Sequence, residues 1–326
     1  MLDWSEINAL EIRKKNKMIL KIAYDRGVNF ELISKRRNRL RLSYGKDSYI
    51  VKSGNIRDCN THPLAISIVK MKDVCSKILR KKGYNALEST VFNKNDLERA
   101  WQWARPILPI VLKPVDGNLG RNVFTNINDY EEFSRRFNYI AKNFEDIMVE
   151  KYVKGKEYRF TYLNGKIIAV SRRLKANVIG DGQHTVSELV DFKNKKREDN
   201  LAHRKINLNN KSRRVLSKTG LTSDSVPAQG QLVYLRETSN ISSGGDAIDV
   251  TDQINPEIKN HIKNSVNVIK GMFFCGIDVI ITEDGQPYII EINNLPGVLG
   301  HEHPWEGKPR KVMEMLVDEL FPESIK

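Results

Sequence analysis

The stretch GIDVIITEDGQPYIIEINNLPG, residues 276–297, limits the fold more tightly than any other part of the chain. IDVII and YIIEI are rich in β-branched and aromatic residues and are separated by an Asp-Gly pair, so the segment predicts a β-hairpin. Taking Asp284-Gly285 as a two-residue turn places Asp278 directly opposite Glu291. Alternation then puts Ile277, Val279, Ile281, Tyr288, Ile290 and Ile292 on one face, and Asp278, Ile280, Ile289, Glu291 and Asn293 on the other. Like charges facing each other across a strand pair are destabilising. Two carboxylates kept there need a cation, or one must hold a proton. Asp278, Glu291 and Asn293 offer only oxygen, which suits a hard ion such as Mg²⁺. Mg²⁺ held by few carboxylates commonly also binds substrate phosphates. For the hairpin taken alone, a solvent-facing strand with wet acids is the competing reading.

A chain of 326 residues exceeds one ordinary core and implies two or three subdomains. It is 40% hydrophobic and 29% charged, as expected of a soluble globular protein, and no apolar run approaches the length of a membrane-spanning helix. The first residues, MLDWSEINALEIRKKNKMIL, lack a small-residue cleavage site and read as an amphipathic helix with Asp3 as N-cap and Glu6 at N3. Cys59, Cys75 and Cys275 show no metal or redox spacing, which suits a reducing, cytoplasmic setting. The net charge of +14 favours polyanionic partners: nucleotides, nucleic acid, acidic peptides or a membrane surface. The basic runs ISKRRNRLRLSYGK, KNKKRED and NNKSRR lack the interleaved aromatics that stack bases. A solvated basic face is therefore favoured over a dedicated nucleic-acid site.

Strands are expected at NFELIS, RLRLSY, SYIVKS, ESTVF, PIVLKP, VFT and DIMVEKYV, and a hairpin at YRFTYLNGKIIAVSRR. Helical periodicity covers about 65–83, ending at Gly83, and recurs in NDLERAWQWA, DYEEFSRRFNYIAKN, PEIKNHIKNSVNVIKGM and RKVMEMLVDELF. From about 190 to 235 the chain is polar and basic with few strong elements. The picture is α+β with several sheets.

Three further segments carry chemistry. VLKPVDGNLGRNVF is not a Walker A motif, because its glycines lie between two strands rather than before a helix. Gly117 and Gly120 would let backbone N–H groups approach phosphate oxygens, with Lys113 just before the loop; an ordinary Gly-containing hairpin is the alternative. In IMVEKYVKGKEYRF, backbone groups near Glu150 and Val153 could meet an adenine edge and Glu157 a ribose, although Glu beside Lys is often plain surface charge. YLRETSNISSGGDAIDVTD gathers Arg236, Asn240, Ser242, Ser243, Gly244 and Gly245, a set rich in donors for an anion; a mobile surface loop is the alternative. His184 reads as structural or as a substrate contact. His301 and His303 suggest a transition metal only weakly, since no third ligand is visible, and no Ser-His-Asp or Cys-His set is readable.

Taken together and in this order, LKPVDGNLGR, EKYVKGKEYRF, GKIIAVSRRLKANVIGDGQHTVSELV, LRETSNISSGGDAIDVTD, GIDVI, YIIEINNLPG and LFPE resemble the ATP-grasp superfamily. In particular they resemble the ATP-grasp module of bifunctional glutathione synthetases and of cyanophycin synthetase. The resemblance covers roughly residues 110–323. It implies an α+β ATP-grasp fold with a small N-terminal α/β domain (1–85), a central lid (86–152) and a C-terminal antiparallel-sheet domain (153–326). It also implies an ATP-dependent ligase that joins a carboxylate, an amino acid or peptide, to an amine through an acyl phosphate. The implied cofactors are ATP and Mg²⁺, with two ions. On this resemblance Asp278, Glu291 and Asn293 are the metal ligands, and Lys72 and Lys113 bind phosphate. Gly117, Asn118, Gly120 and Arg121 form the flap, Glu150, Val153 and Glu157 hold adenosine, and Arg236 steadies the transferring phosphoryl group. Asn240, Ser242, Ser243, Gly244, Gly245 and His184 are the substrate contacts. Two departures stand out: Leu119 and Asn122 occupy flap positions where the cyanophycin-type loop carries His and a second Gly. The competing readings are an RNA- or protein-binding module on a degenerate scaffold, and a ligase that modifies a protein's acidic tail. The expected partners are small substrates, not a membrane; self-association into a homo-oligomer is left open.

Overall fold

The computed structural model describes residues 5, 9, 11–52, 55–57, 59–117 and 122–324. The expected cap at Asp3 and Glu6 lies outside these residues, as do Asn118, Gly120 and Arg121 of the flap.

Helix α1 (Lys14–Asp25) leads into an antiparallel sheet of β1 (Asn29–Ser34), β2 (Arg39–Tyr44), β3 (Asp47–Lys52) and β4 (Asn55–Arg57). The single helix expected over 65–83 is two, α2 (Pro63–Lys70) and α3 (Lys72–Lys81). Met71 interrupts them with φ −85° and ψ 83°, outside the helical region. The segment expected to form the lid, called the lid below, follows: β5 (Ser89–Asn93), α4 (Leu97–Ala104), β6 (Ile110–Pro114), β7 (Phe124–Ile127), α5 (Tyr130–Ala141) and β8 (Asp146–Lys151). Its sheet has the order β5-β8-β6-β7. Strands β9 (Lys156–Leu163) and β10 (Lys166–Leu174) form the expected hairpin.

After β11 (Asn177–Ile179), the segment read as poor in structure, about 190 to 235, holds most of α6 (Val186–Arg197), all of α7 (Asn210–Ser217) and β12 (Leu232–Tyr234). The two helices are polar, and their ends are fixed by capping boxes built on Thr185 with Glu188 and on Asn209 with Ser212. Few apolar side chains define their buried stripe, so periodicity is faint there. The chain ends with β13 (Asp246–Asp249), α8 (Pro256–Asn267), β14 (Phe274–Ile281), β15 (Pro287–Asn293), α9 (Leu299–Glu302) and α10 (Val312–Leu320). The five-stranded sheet has the order β13-β10-β9-β14-β15.

Among the described residues, the buried apolar side chains form four cores. The first joins α1 and β1–β3 to α10 and Phe321. The second lies under the large sheet and includes Val69 and Leu79 from α2 and α3, and Ile277, Val279 and Ile289 from the β14–β15 hairpin. The lid and the β11–β12 segment have their own cores.

The hairpin is where expectation and structure can be compared rung by rung. Asp278 pairs with Glu291, Ile277 with Ile292 and Gly276 with Asn293, as the sequence reading has it. Beyond Asp278 the register shifts, because Val279 pairs with Ile289. Ile290 is the extra residue of a bulge, so the face reverses beyond it: Ile289 joins the buried side with Val279 and Ile281, and Ile290 does not. The turn is correspondingly longer than two residues, with Ile281 paired to Pro287 and Gly285 at φ +83°.

The same hairpin holds both ends of the lid. Ile289 bonds through its N–H to Asn85 O (2.7 Å) and through its carbonyl to Leu87 N (3.0 Å), where the chain enters the lid. Where the chain leaves it, Gly155 runs so close to β14 that a Cβ would meet Ile281 O and Ile280 Cγ2 at 2.5 Å each. Gly155→Ala must push β14 or the lid exit aside. Its expected cost is about 1–3 kcal/mol, seen as a lower urea midpoint; an unchanged midpoint would show that the crossing has slack.

Candidate active site

The upper face of the large sheet carries one polar rung. Reading across β15, β14, β9, β10 and β13, Glu291 pairs with Asp278, Asp278 with Arg159, Arg159 with Ser171, and Ser171 with Asp249. Directly paired residues project to the same side, so backbone register alone brings these groups together. The next rung adds Glu157 and Arg173, which pair across β9 and β10.

Arg159 grips Asp278 with two parallel bonds, Nε to Oδ1 at 2.6 Å and Nη2 to Oδ2 at 2.7 Å, and both side chains are under 10% exposed. This is the fork geometry that Arg alone provides. Arg173 Nη1 stands 3.3 Å from Asp278 and 3.5 Å from Glu157. Gly276 makes room for the fork, since a Cβ there would lie 2.9 Å from Arg159 Nη1. Lys72 Nζ, in the first turn of α3, meets Glu291 Oε2 at 2.7 Å. Asn293 donates to Glu291 Oε1 at 2.7 Å and approaches Asp278 Oδ2 at 3.4 Å.

From the lid, Lys113 of β6 bonds to Glu150 of β8 at 2.8 Å, with both side chains largely buried. Burial works against its charge, but Glu150, then Glu291 and Asp278, more than restore it, so the Lys113 pKa is raised. For Asp278, burial pushes the pKa up and Arg159 with Arg173 outweighs it, holding the carboxyl well below the usual range. Glu157 goes the other way: burial and the neighbouring Asp278 raise it against the partial opposition of Arg173.

The remaining expected residues are placed as follows. Val153 follows β8, and its N–H bonds to no described acceptor. Gly117 sits against Pro114, whose Cγ a Cβ would approach to 2.7 Å. Glu157 accepts from the Ser239 hydroxyl, which ties the Ser/Gly loop to the acid face. Within that loop the N–H groups of Ser243, Gly244 and Gly245 bond to the carbonyls of Asn240 and Ile241, so these donors are already used. Ser242 lies in the short 3₁₀ turn Ile241–Ser243, and Asn240 approaches Thr238 at 3.5 Å. Arg236 donates to the Ser212 hydroxyl, to Leu235 O (2.7 Å) and to Asn207 O (2.8 Å); these bonds tie it to the first turn of α7 and the residues before it, not to the acid rung. His184 binds Asp181 at 2.6 Å and lies edge-on to Phe192, away from the rung. His301 hydrogen-bonds Thr161 at 2.9 Å, and among the described residues no three His, Cys, Asp or Glu gather as a metal site, which removes the transition-metal reading of His301 and His303.

The donor set still fits Mg²⁺. Asp278, Glu291 and Asn293 converge and their oxygens are hard; each Glu291 oxygen has one partner and a lone pair to spare, while on Asp278 the longer contacts of Arg173 (3.3 Å) and Asn293 (3.4 Å) are the ones a cation would replace. Turning the Asn293 amide over presents its oxygen to the same point.

Arg159 and Arg173 are not singled out by the sequence reading. A signal exists for Arg159: it interrupts the apolar strand YRFTYL much as Asp278 interrupts IDVII.

The fold is that of the ATP-grasp ligases. No protein-family model matches the chain. It is 35% identical over 318 residues to the bifunctional glutathione biosynthesis protein GshAB of Mannheimia succiniciproducens, a match covering 93% of this chain and 42% of that protein. It is 34% identical over 317 residues to the cyanophycin synthetase of a Nostoc species, covering 94% of this chain and 35% of that one. The crystal structure of a bifunctional glutathione synthetase from Pasteurella multocida superposes with a TM-score of 0.71 at 31% identity, over 96% of this chain and 44% of that one. The ATP-grasp ligase PsnB, solved with Mg and ADP, shares the fold alone, at TM-score 0.50 and 13% identity, over 82% of this chain and 62% of that one. The chain belongs to the ATP-grasp carboxylate–amine ligases, as a module similar to those of GshAB and cyanophycin synthetase. It spans less than half the length of these curated relatives.

Next to the Ser/Gly loop, His203 Nε2 accepts from the Ala247 N–H at 3.0 Å, so the ring must be neutral, with its proton on Nδ1 facing Asn200 Oδ1. Burial pushes its pKa down to about 4. A neutral buried His gives stability that is present above the unfolded pKa of about 6.5 and is lost as pH falls towards 4. The loss should reach on the order of 3 kcal/mol. His203→Gln keeps an acceptor but does not titrate. The expected outcome is a flatter stability profile between pH 6.5 and 4 in urea unfolding, and an equally steep profile would assign the acid sensitivity elsewhere.

Proposed function

We propose that the chain joins a carboxylate to an amine at the expense of ATP, through an acyl phosphate, releasing ADP and phosphate. The observation that carries this reading is the opposed Asp278–Glu291 pair, set among Arg159, Arg173 and Lys72, with the buried Lys113–Glu150 pair on the β5–β8 sheet. No solvated strand face needs such a surround, and neither does a binding module on a degenerate scaffold.

ATP would lie between the lid and the five-stranded sheet. The Val153 N–H, which bonds to no described acceptor, and the end of β8 one residue past Glu150 suit an adenine edge, and Glu157 a ribose. Asp278, Glu291 and Asn293 would hold Mg²⁺, which when bound neutralises phosphate charge and makes the γ-phosphorus a better electrophile. Lys113 and Lys72 would meet phosphate oxygens. We assign the anion contact on the sheet to Arg173, with Arg159 holding Asp278 in place, because Arg236 already has three of its N–H donors committed to protein oxygens. A carboxylate oxygen of the acid substrate attacks the γ-phosphorus and the bond to the bridging oxygen breaks, so ADP leaves. The amine nitrogen then attacks the acyl carbon, phosphate departs with the bonding pair, and the nitrogen gives up a proton. The chain contributes placement and fixed positive charge, and these two effects account for most of the catalysis of phosphoryl transfer.

Glu291→Gln tests the site with least damage to the fold, because Glu291 is partly exposed and only Lys72 loses its charge partner. Turnover should fall at least a hundredfold with circular dichroism unchanged. Asp278→Asn should abolish turnover too, but it strands Arg159, so a loss of about 3–5 kcal/mol of stability is expected as well. A panel of amino acids and dipeptides, scored by phosphate release and mass spectrometry, identifies the substrates. With ATP and the true acid but no amine, hydroxylamine should trap a hydroxamate. Appearance of AMP and pyrophosphate would mean an adenylate, and near-normal turnover in Glu291→Gln would remove the metal site.

A further inference from the structure

Asp246 lies directly after Gly244-Gly245 and is 1% exposed. Its carboxylate takes Lys193 Nζ (2.6 Å) and Arg197 Nη2 from one face of α6, and Asn177 Nδ2 (2.9 Å) from β11. Both cations also lie over the Trp305 ring, at 5.2 and 5.3 Å from its centroid. Arg197 is itself buried and gives a further bond to Arg204 O at 2.6 Å. The next residue is held just as firmly: the Ala247 N–H goes to His203 Nε2 (3.0 Å) and its carbonyl receives the Trp305 N–H of the backbone (2.7 Å). None of these groups touches the acid rung.

What lies on the other side of Asp246 gives the node a purpose. Gly245 folds the loop back on itself, bonding to Asn240 O at 3.0 Å; a Cβ there would stand 2.6 Å from Leu174 O and 2.8 Å from Ser239 O. The fold delivers Ser239 to Glu157, and Glu157 leans on Arg173, which is the cross-strand partner of Ala247 and touches Asp278. The path from Asp246 to the acid rung is thus continuous: one tight turn, one hydroxyl–carboxylate bond and one ion pair.

We propose that Asp246, with Lys193, Arg197 and Trp305, positions the Ser/Gly loop on the acid face, so that the β11–β12 segment fixes where Ser239 meets Glu157. It acts through the loop and not on a reacting atom. Its consequence for catalysis rests on the ligase reading; its consequence for the loop does not.

The test is hydrogen–deuterium exchange on the full chain, wild type against Asp246→Asn. Asparagine keeps the shape and one acceptor but leaves two cations without their counter-charge. Exchange across residues 238–245 should rise at least tenfold, while β9 and β14 stay within twofold. Adding Lys193→Met, which removes one stranded cation, should bring the loop back towards the wild-type rate. Lys193→Met alone, with Arg197 still on Asp246, should loosen the loop about threefold and serves as the measurement if Asp246→Asn does not fold. Where turnover is in hand, the KM for ATP should rise at least threefold, because the Ser239 hydroxyl bonds Glu157, the proposed ribose contact. Unchanged loop exchange overturns the proposal. So does exchange that rises equally in β9 and β14, because the node would then support the whole sheet and not position the loop. Loop exchange that behaves as expected in a chain without ligase turnover would leave the proposal standing and remove the ligase reading alone.

Discussion

The buried ion pair between Asp278 and Arg159 is the interaction on which the site is built. Taking two charges out of water costs several kcal/mol per ion, and their attraction offsets that only with good geometry and satisfied neighbours. Both conditions hold. The two parallel bonds give the geometry, and Arg173, Asn293 and the Glu291–Lys72 pair fill the remaining positions. A bare backbone at Gly276 is part of the same arrangement, because any side chain there would displace the fork. Such a cluster is a poor source of stability for its size. What it provides is a fixed pattern of charge on a rigid sheet, which is what a site for a charged substrate requires.

That sheet is rigid because its other face is core. Ile277, Val279, Ile289 and Ile292 pack against α2 and α3, so the side-chain period of two holds Asp278 and Glu291 upward. The bulge at Ile290 lies just beyond the acids, where it changes parity without disturbing the Asp278–Glu291 rung. The hairpin also anchors the lid at its entrance through Ile289 and at its exit beside Gly155.

How much of this was legible in the sequence depended on how local the cause was. The hairpin and the Asp278–Glu291 pairing were readable because charge in an apolar alternation is conspicuous. The bulge was not, since nothing in YIIEI marks which Ile is the extra one. Strands β5, β6 and β8 and helices α4 and α5 followed from period and caps. Helices α6 and α7 were missed although Thr185 and Glu188 spell out a capping box, because their apolar stripe amounts to little more than Val186, Val190 and Leu216. The break at Met71 carries no Gly or Pro to announce it. Arg236 shows the opposite failure: it adjoins the Ser/Gly loop in sequence, yet its guanidinium is turned to Ser212 and Asn207. Arg159 and Arg173 became site residues only through the pairing of β9 with β14 and β10, a long-range fact.

The charge balance of the site explains how it can be both stable alone and receptive to a nucleotide. Four cations (Lys72, Lys113, Arg159, Arg173) face four acids (Glu150, Glu157, Asp278, Glu291), so the face is formally neutral and its buried groups are paired. A triphosphate brings more negative charge than that face can hold unaided. On the proposed reading, Asp278 and Glu291 satisfied by a metal ion no longer need Lys72 and Arg173, and both cations are freed for phosphate oxygens at the moment that charge arrives. Arg173 is the better placed of the two to move, because its contacts at 3.3 and 3.5 Å are longer than those of Arg159 at 2.6 and 2.7 Å. The fork of Arg159 stays on Asp278 and keeps the carboxylate aimed, while Arg173 is shared between Asp278 and Glu157 and can leave either without stranding it. The two arginines of the rung thus differ in role for a reason that is geometric: one fixes the acid, and the other is held in reserve beside it.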